Sequence, residues 1–217
     1  HRLMMDAVVP GGVGRDLDAA ALGRMARECD PVEAEVRRLR DIYEEHAGLQ
    51  DRFINAGRVR PELAAALGLT GLAGRASAQA TDVRCKPSWA PYDTLEVRMA
   101  THRNGDVAAR VAVRFDETLE SLRLIRVLCA SLPAGPAATP VLPPKGPARG
   151  LGWLEGWRGE VLVALELDEG GGIGRCHCHD PSWQNWPVLA YAVMDNIVPD
   201  FPLINKSFNL AYSGHDL

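Results

Sequence analysis

The sequence predicts an α+β fold, mainly a helical bundle with a small antiparallel sheet, and three observations carry that class. Val107, Val111, Phe115, Leu119, Leu122, Ile125, Cys129 and Leu132 recur at three and four residues without a break, a helical period sustained for about seven turns. Asp30-Pro31-Val32-Glu33 sets an acceptor at an N-cap, proline at the first helical position and a glutamate at the third. Residues 160–167 and 173–179 are strand-like runs on either side of the glycine-rich turn 168–172.

Taken in order, Gly11-Gly12 closes the opening segment, and Asp16 is placed to cap a short helix from Leu17 to about Glu28. The signal at Asp30 starts a second helix to about Leu49, with Val32, Val36, Leu39, Tyr43 and His46 along one side. Its charged set, Glu35, Arg37, Arg38, Arg40, Asp41 and Glu44, is solvated or faces a neighbouring subunit. Residues 55–93 are punctuated by glycine and proline, with one short helix after Pro61 ending near Gly68. Their apolar and aromatic content argues for order rather than disorder.

Leu95, Val97 and Met99 alternate with Glu96 and Arg98, as in a strand. Asn104-Gly105 is a hairpin signal that would make 111–115 a return strand, but Asp106 is an N-cap and the helical period runs straight on. A helix from Val107 to about Ser131 therefore wins, ended by Pro133 and Gly135. Residues 133–150 form a proline-rich connection, and helices from Pro187 to Asp195 and from about Pro202 to Phe208 finish the chain.

The 217 residues, 47% of them hydrophobic, suffice for one sizeable core. A net charge of −4 with mixed signs leaves no footprint for nucleic acid or a membrane surface. The apolar region 186–212 is broken by Asp195, Asn196, Pro199, Asp200, Pro202 and Lys206, so it is core and not a membrane span. Five cysteines without regular spacing point to a reducing compartment. The opening His1-Arg2-Leu3 is neither a signal n-region nor an h-region, and the chain is expected to be an excised part of a longer one.

Four segments invite a chemical reading. In Cys176-His177-Cys178-His179, strand alternation puts the cysteines on one face and the histidines on the other, so the four do not converge on one tetrahedral ion, and a structural role is expected. Cys85 has Arg84 and Lys86 beside it but no histidine to act as base, so it is not expected to be a nucleophile. Gly170-Gly171-Gly172-Ile173-Gly174 opens no helix and fails the context of a dinucleotide loop. In Trp157-Arg158-Gly159, the arginine either projects into a cleft or sits on a surface turn, and the residues alone leave both open.

Three stretches, 1–17, 67–93 (LGLTGLAGRASAQATDVRCKPSWAPYD) and 155–207 (EGWRGE through DNIVPDFPLINKS), resemble the nickel–iron hydrogenase large subunits and their relative, the quinone-pocket subunit of respiratory complex I. The resemblance looks closest to the membrane-bound branch. It implies that residues 1–217 are one unit, the C-terminal portion of such a domain. It also implies that Arg158, in the E-x-x-R-G element, faces the active-site cavity and serves there as a catalytic residue.

The tail departs from the hydrogenase pattern. Where hydrogenases carry two nickel-ligating cysteines, Asn209–Leu217 has Ala211 and Gly214, neither with a donor atom. Asp180-Pro181-Ser182-Trp183 matches the element that precedes the tail in this family. The other cysteine pair would lie upstream of His1. The resemblance therefore implies a subunit of a membrane-associated oxidoreductase complex of the NADH–quinone oxidoreductase or hydrogenase type. A quinone cavity would replace the nickel–iron site, and this portion would bind no cofactor and be inactive alone. The implied partners are an iron–sulfur small subunit, other subunits of the complex and quinone, with no nucleic acid. The implied place is the cytoplasmic side, peripheral to the inner membrane. The alternatives are a non-catalytic hydrogenase-like scaffold and an active hydrogenase large subunit.

Overall fold

The computed structural model describes residues 7–142 and 144–216. Residues 1–6 of the opening stretch, Pro143 of the proline-rich connection and Leu217 of the tail lie outside the described residues. Helices dominate around a two-stranded and a three-stranded antiparallel sheet, the predicted α+β class.

After a short hairpin of β1 (Val8–Val9) and β2 (Gly12–Val13), one long helix, α1 (Ala19–Glu45), replaces the two predicted. Its cap is Asp18, whose carboxylate accepts from the N–H of Ala21; Asp16 instead accepts from its neighbour Leu17. Helix α1 runs through Pro31, although proline supplies no N–H to the preceding turn. Asp30 does not cap, because its carboxylate pairs with Arg126 across the bundle at 2.8 Å. Cys29 is buried, and Tyr43 meets Phe115 with ring centres 6.0 Å apart, whereas Val32 and Leu39 stay exposed. The predicted apolar side therefore packs only in part, through Val36 and Tyr43. The charged side stays at the surface, where Arg40 also reaches the exposed Asp116 of the next long helix at 2.9 Å. A separate helix, α2 (Ala47–Phe53), follows His46, whose ring accepts from the N–H of Leu49.

Helix α3 (Pro61–Ala66) is the short helix expected after Pro61. Helix α4 (Gly71–Ala76), which the glycine-rich composition concealed, is buried along its whole length. The predicted strand 95–99 does not form: Leu95 and Glu96 close a turn, with Glu96 in the left-handed region (φ 47°), and 97–99 join no sheet. Side chains hold this segment instead, as Cys85 donates to the carbonyl of Val97 and Glu120 accepts from the N–H of Arg98. Helix α5 (Val107–Ser131) has the predicted bounds and Asp106 as its cap, which accepts from the N–H of Ala109 at 2.7 Å.

The larger sheet has order β3-β4-β5, with β3 (Ala148–Gly156), β4 (Gly159–Leu167) and β5 (Ile173–His179). Strands β4 and β5 are the predicted pair, and Asp168 holds their turn by accepting from the N–H groups of Gly170 and Gly172. Strand β3 was hidden in the tail of the proline-rich connection. Helix α6 (Pro181–Ala192) starts six residues before the predicted Pro187, because Asp180 caps it by accepting from the N–H of Ser182 and Pro181 takes the first position. A 3-10 turn (Val198–Asp200), α7 (Phe201–Phe208) and α8 (Tyr212–His215) follow. The main core gathers Val59, Leu69, Val107, Val188, Ile204 and Phe208 from loops, α5, α6 and α7. Among the described residues no helix is long and apolar enough to cross a membrane.

Candidate functional site

Strands β3 and β4 join through a two-residue turn, Trp157-Arg158, between the paired Gly156 and Gly159. The tip of this hairpin presses on the starts of two helices. A Cβ at Gly71, the first residue of α4, would overlap the carbonyl of Arg158, and one at Gly159 would stand 3.1 Å from Pro181 of α6. Only glycine allows three backbones to approach this closely. Asn185 ties the two helix starts together, accepting from the N–H of Thr70 at 3.0 Å and donating to its carbonyl at 3.1 Å.

The tail docks on the same corner. Asn209 ends α7 in the left-handed region, and its carbonyl accepts a hydrogen bond from Nε of Arg158. The N–H of Ala211 donates to the hydroxyl of Ser182, 2.9 Å away and fully buried. Trp186 packs between Tyr212 and His215, with ring centres 5.0 and 5.2 Å from its own. Gly214 is buried against Asp180: a Cβ there would lie 2.5 Å from the carboxylate carbon that caps α6. Arg158 thus joins the hairpin to the tail, while its neighbour Trp157 stands out, 57% exposed.

Two hollows meet at Trp157. A cleft of about 380 Å³ is lined by Phe53, Val107, Val111, Arg114, Trp157, Leu203, Lys206, Ser207 and Asn209. Its wall is apolar, and its two charged groups are both cations. Arg114 donates to the carbonyls of Ser207 (3.0 Å) and Arg110 (3.4 Å) and has no carboxylate in contact among the described residues; burial pulls its pKa down, against the pull of Glu117. Behind it, the fully buried Arg110 donates to Ser207 Oγ at 2.8 Å, Gly105 O at 2.8 Å and Gly57 O at 3.0 Å, and lies 4.2 Å over the ring of Phe208. Burial pushes Arg110 down to about 9, so it stays cationic near neutral pH.

A hollow of about 250 Å³ on the other side of Trp157 is lined by Arg75, Arg84, Glu117, Ser121, Glu155 and Gly156. Arg75, 1% exposed, reaches Glu117 at 2.6 Å, Glu155 at 2.8 Å and Asp82 at 3.7 Å. Asp82 also holds Arg84 at 2.7 Å. Burial raises the pKa of Glu155 despite the pull of Arg75. This cluster links α4, α5 and the hairpin, and so sets where Trp157 and Arg158 stand.

The other sequence candidates lie elsewhere. His177 and His179 face Trp183, at 6.1 and 5.7 Å between ring centres, and Cys176 and Cys178 occupy the opposite face. Burial pushes the thiol of Cys85 up, which opposes thiolate chemistry. A nickel–iron site does not fit the tail: Ala211 and Gly214 have no donor atoms, and the space a side chain would need at 214 belongs to Asp180. Among the described residues no three His, Cys, Asp or Glu side chains converge as metal ligands. Sequence reasoning missed Arg110 and Arg114, and it met Ser182 and Asn185 only within or beside the element that precedes the tail, without a role for either. The one signal that pointed to them was the presence of charged or polar residues on otherwise apolar helix faces.

Comparison with known proteins places the chain in a respiratory-chain family. Residues 1–149 match the family described as respiratory-chain NADH dehydrogenase, 49 Kd subunit. A carbon monoxide-induced hydrogenase of Rhodospirillum rubrum is 30% identical over 210 residues, covering 96% of this chain and 58% of that protein. An NADH-quinone oxidoreductase component of Syntrophobacter fumaroxidans is 31% identical over 212 residues, covering 92% of this chain and 54% of that protein. Among solved structures, the membrane-bound sulfane sulfur reductase, an archaeal respiratory membrane complex, matches with a TM-score of 0.87 at 25% identity, over 96% of this chain and 59% of that one. The chain therefore spans little more than half the length of these relatives.

Proposed function

Because the chain belongs to the family of the respiratory-chain NADH dehydrogenase 49 Kd subunit, we propose that it serves in a membrane-associated oxidoreductase complex whose quinone cavity replaces the nickel–iron site. The observation that carries this reading is the cleft of about 380 Å³ between the hairpin and α7, apolar along Phe53, Val107 and Val111 and bearing only cations, Arg114 and Lys206. That volume lies in the range of small-molecule sites, roughly 300–1,000 Å³. A quinone headgroup is a flat apolar ring with two carbonyl oxygens. Its reduction takes up two electrons and two protons and places negative charge on those oxygens before the protons arrive. Cations in a poorly hydrated wall stabilise that charge. The electrons would come from a neighbouring iron–sulfur subunit, and the complex would hold this chain peripherally on the cytoplasmic side of the membrane.

Arg158 acts in this reading through the tail: its bond to the carbonyl of Asn209 holds one wall of the cleft. The test is the intact complex, purified with its small subunit, carrying Arg158→Ala or Arg114→Gln. The reading expects quinone reduction to fall at least tenfold in each while the subunits still co-purify. Quinone reduction unchanged in both variants overturns it. A wild-type complex that reduces no quinone leaves the scaffold reading standing instead, and stoichiometric nickel in that complex would support the hydrogenase reading.

A further inference from the structure

Strand β5 is the edge of the three-stranded sheet, and among the described residues no strand lies beyond it. Its alternation sends His177 and His179 towards Trp183 and leaves Cys176 and Cys178 together on the other face, opposite Leu165 and Val163 of β4. The next positions across that face are Gly150 and Gly152 of β3, which carry no side chains to overhang it. Both thiols are free, Cys176 is exposed, and the two sulfurs are 3.8 Å apart.

A disulfide does not suit this geometry. Residues two apart on a strand have Cα atoms about 6.6–6.8 Å apart, at the far limit of what a disulfide spans. A bridging ion suits it better. With metal–sulfur bonds of about 2.3 Å, as for zinc thiolates, a linear S–metal–S unit needs sulfurs about 4.6 Å apart, one small rotamer adjustment from those seen. No third donor converges on the pair among the described residues, which disfavours zinc and its four ligands. Thiolates without other ligands select soft ions.

We propose that Cys176 and Cys178 form a two-coordinate site for a soft monovalent cation of the Cu(I) class. On binding, two S–H bonds break and two metal–sulfur bonds form, and two protons pass to solvent with no change of oxidation state.

The test is an anaerobic titration of the reduced full chain with Cu(I) buffered by a competing chelator. One ion per chain and two protons released per ion are expected. Cys176→Ser and Cys178→Ser should each weaken binding by more than about 100-fold, since even outer-shell partners of a metal are worth about 10–100-fold. Cys85→Ser should leave binding unchanged. The exposed position of Cys176 keeps its serine variant foldable, which far-UV circular dichroism checks. No uptake by the wild type overturns the site. Uptake that survives loss of both cysteines, or one ion shared by two chains, overturns it equally.

Discussion

Replacing Arg75 by methionine tests whether the buried charge cluster holds the hairpin in place. The substitution keeps most of the volume but leaves Glu155 and Asp82, whose side chains are 3% and 0% exposed, facing Arg84 alone. Breaking a buried ion pair by removing one partner costs about 3–5 kcal/mol, because the other charge is stranded. Domains of ordinary stability have only about 5–15 kcal/mol in total, so this is a large fraction. The carboxyl of Glu155, already raised by burial, is the group that would take up a proton to limit the damage. Adding Glu155→Gln to Arg75→Met removes one of the stranded charges, Glu117 and Asp82 remaining, while keeping an acceptor for the N–H of Val83, and should recover at least about 1 kcal/mol. Urea unfolding at pH 7, followed by far-UV circular dichroism with the slope unchanged, measures both values. A cost below about 1 kcal/mol for Arg75→Met, or a second substitution that simply adds to the first, would falsify the reasoning.

Gly214→Ala places a methyl group 2.5 Å from the carboxylate carbon of Asp180 and disturbs the cap of α6. Thermal unfolding should show a loss of about 1–3 kcal/mol, the range for overpacking, and an unchanged midpoint would mean that the tail yields freely. For Glu120, burial raises the pKa, but the hydrogen bonds from Arg123 and the N–H of Arg98 prevail, and the net shift is downward. A carboxylate lowered on folding contributes stability above its unfolded pKa that is lost as pH falls through the folded value. Glu120→Gln should therefore cost more stability at pH 7 than at pH 3. Equal cost at both, from urea titrations, refutes the assignment.

Much of the architecture was legible because it rests on local chemistry. The cap at Asp106 and the unbroken period behind it defined α5 to the residue, and the glycine turn at 168–172 defined the β4–β5 pair. The absence of donor atoms at Ala211 and Gly214 was likewise a matter of residue identity. Elsewhere local signals were overruled. Asp30-Pro31 is a good helix start, yet packing on α5 and the pair with Arg126 carry α1 through it. Pro187 looked like a first helical residue, but the cap at Asp180 precedes it.

What the sequence determined by itself was the class and the long helix, since each depends on neighbours along the chain. Only the tertiary structure decided the cleft. Arg114 and Lys206 meet Phe53 and Trp157 because Gly71, Gly159 and Asn185 bring α4, the hairpin and α6 into backbone contact. Arg158 likewise finds its partner 51 residues away in a main-chain carbonyl, and a carbonyl leaves no trace in a sequence.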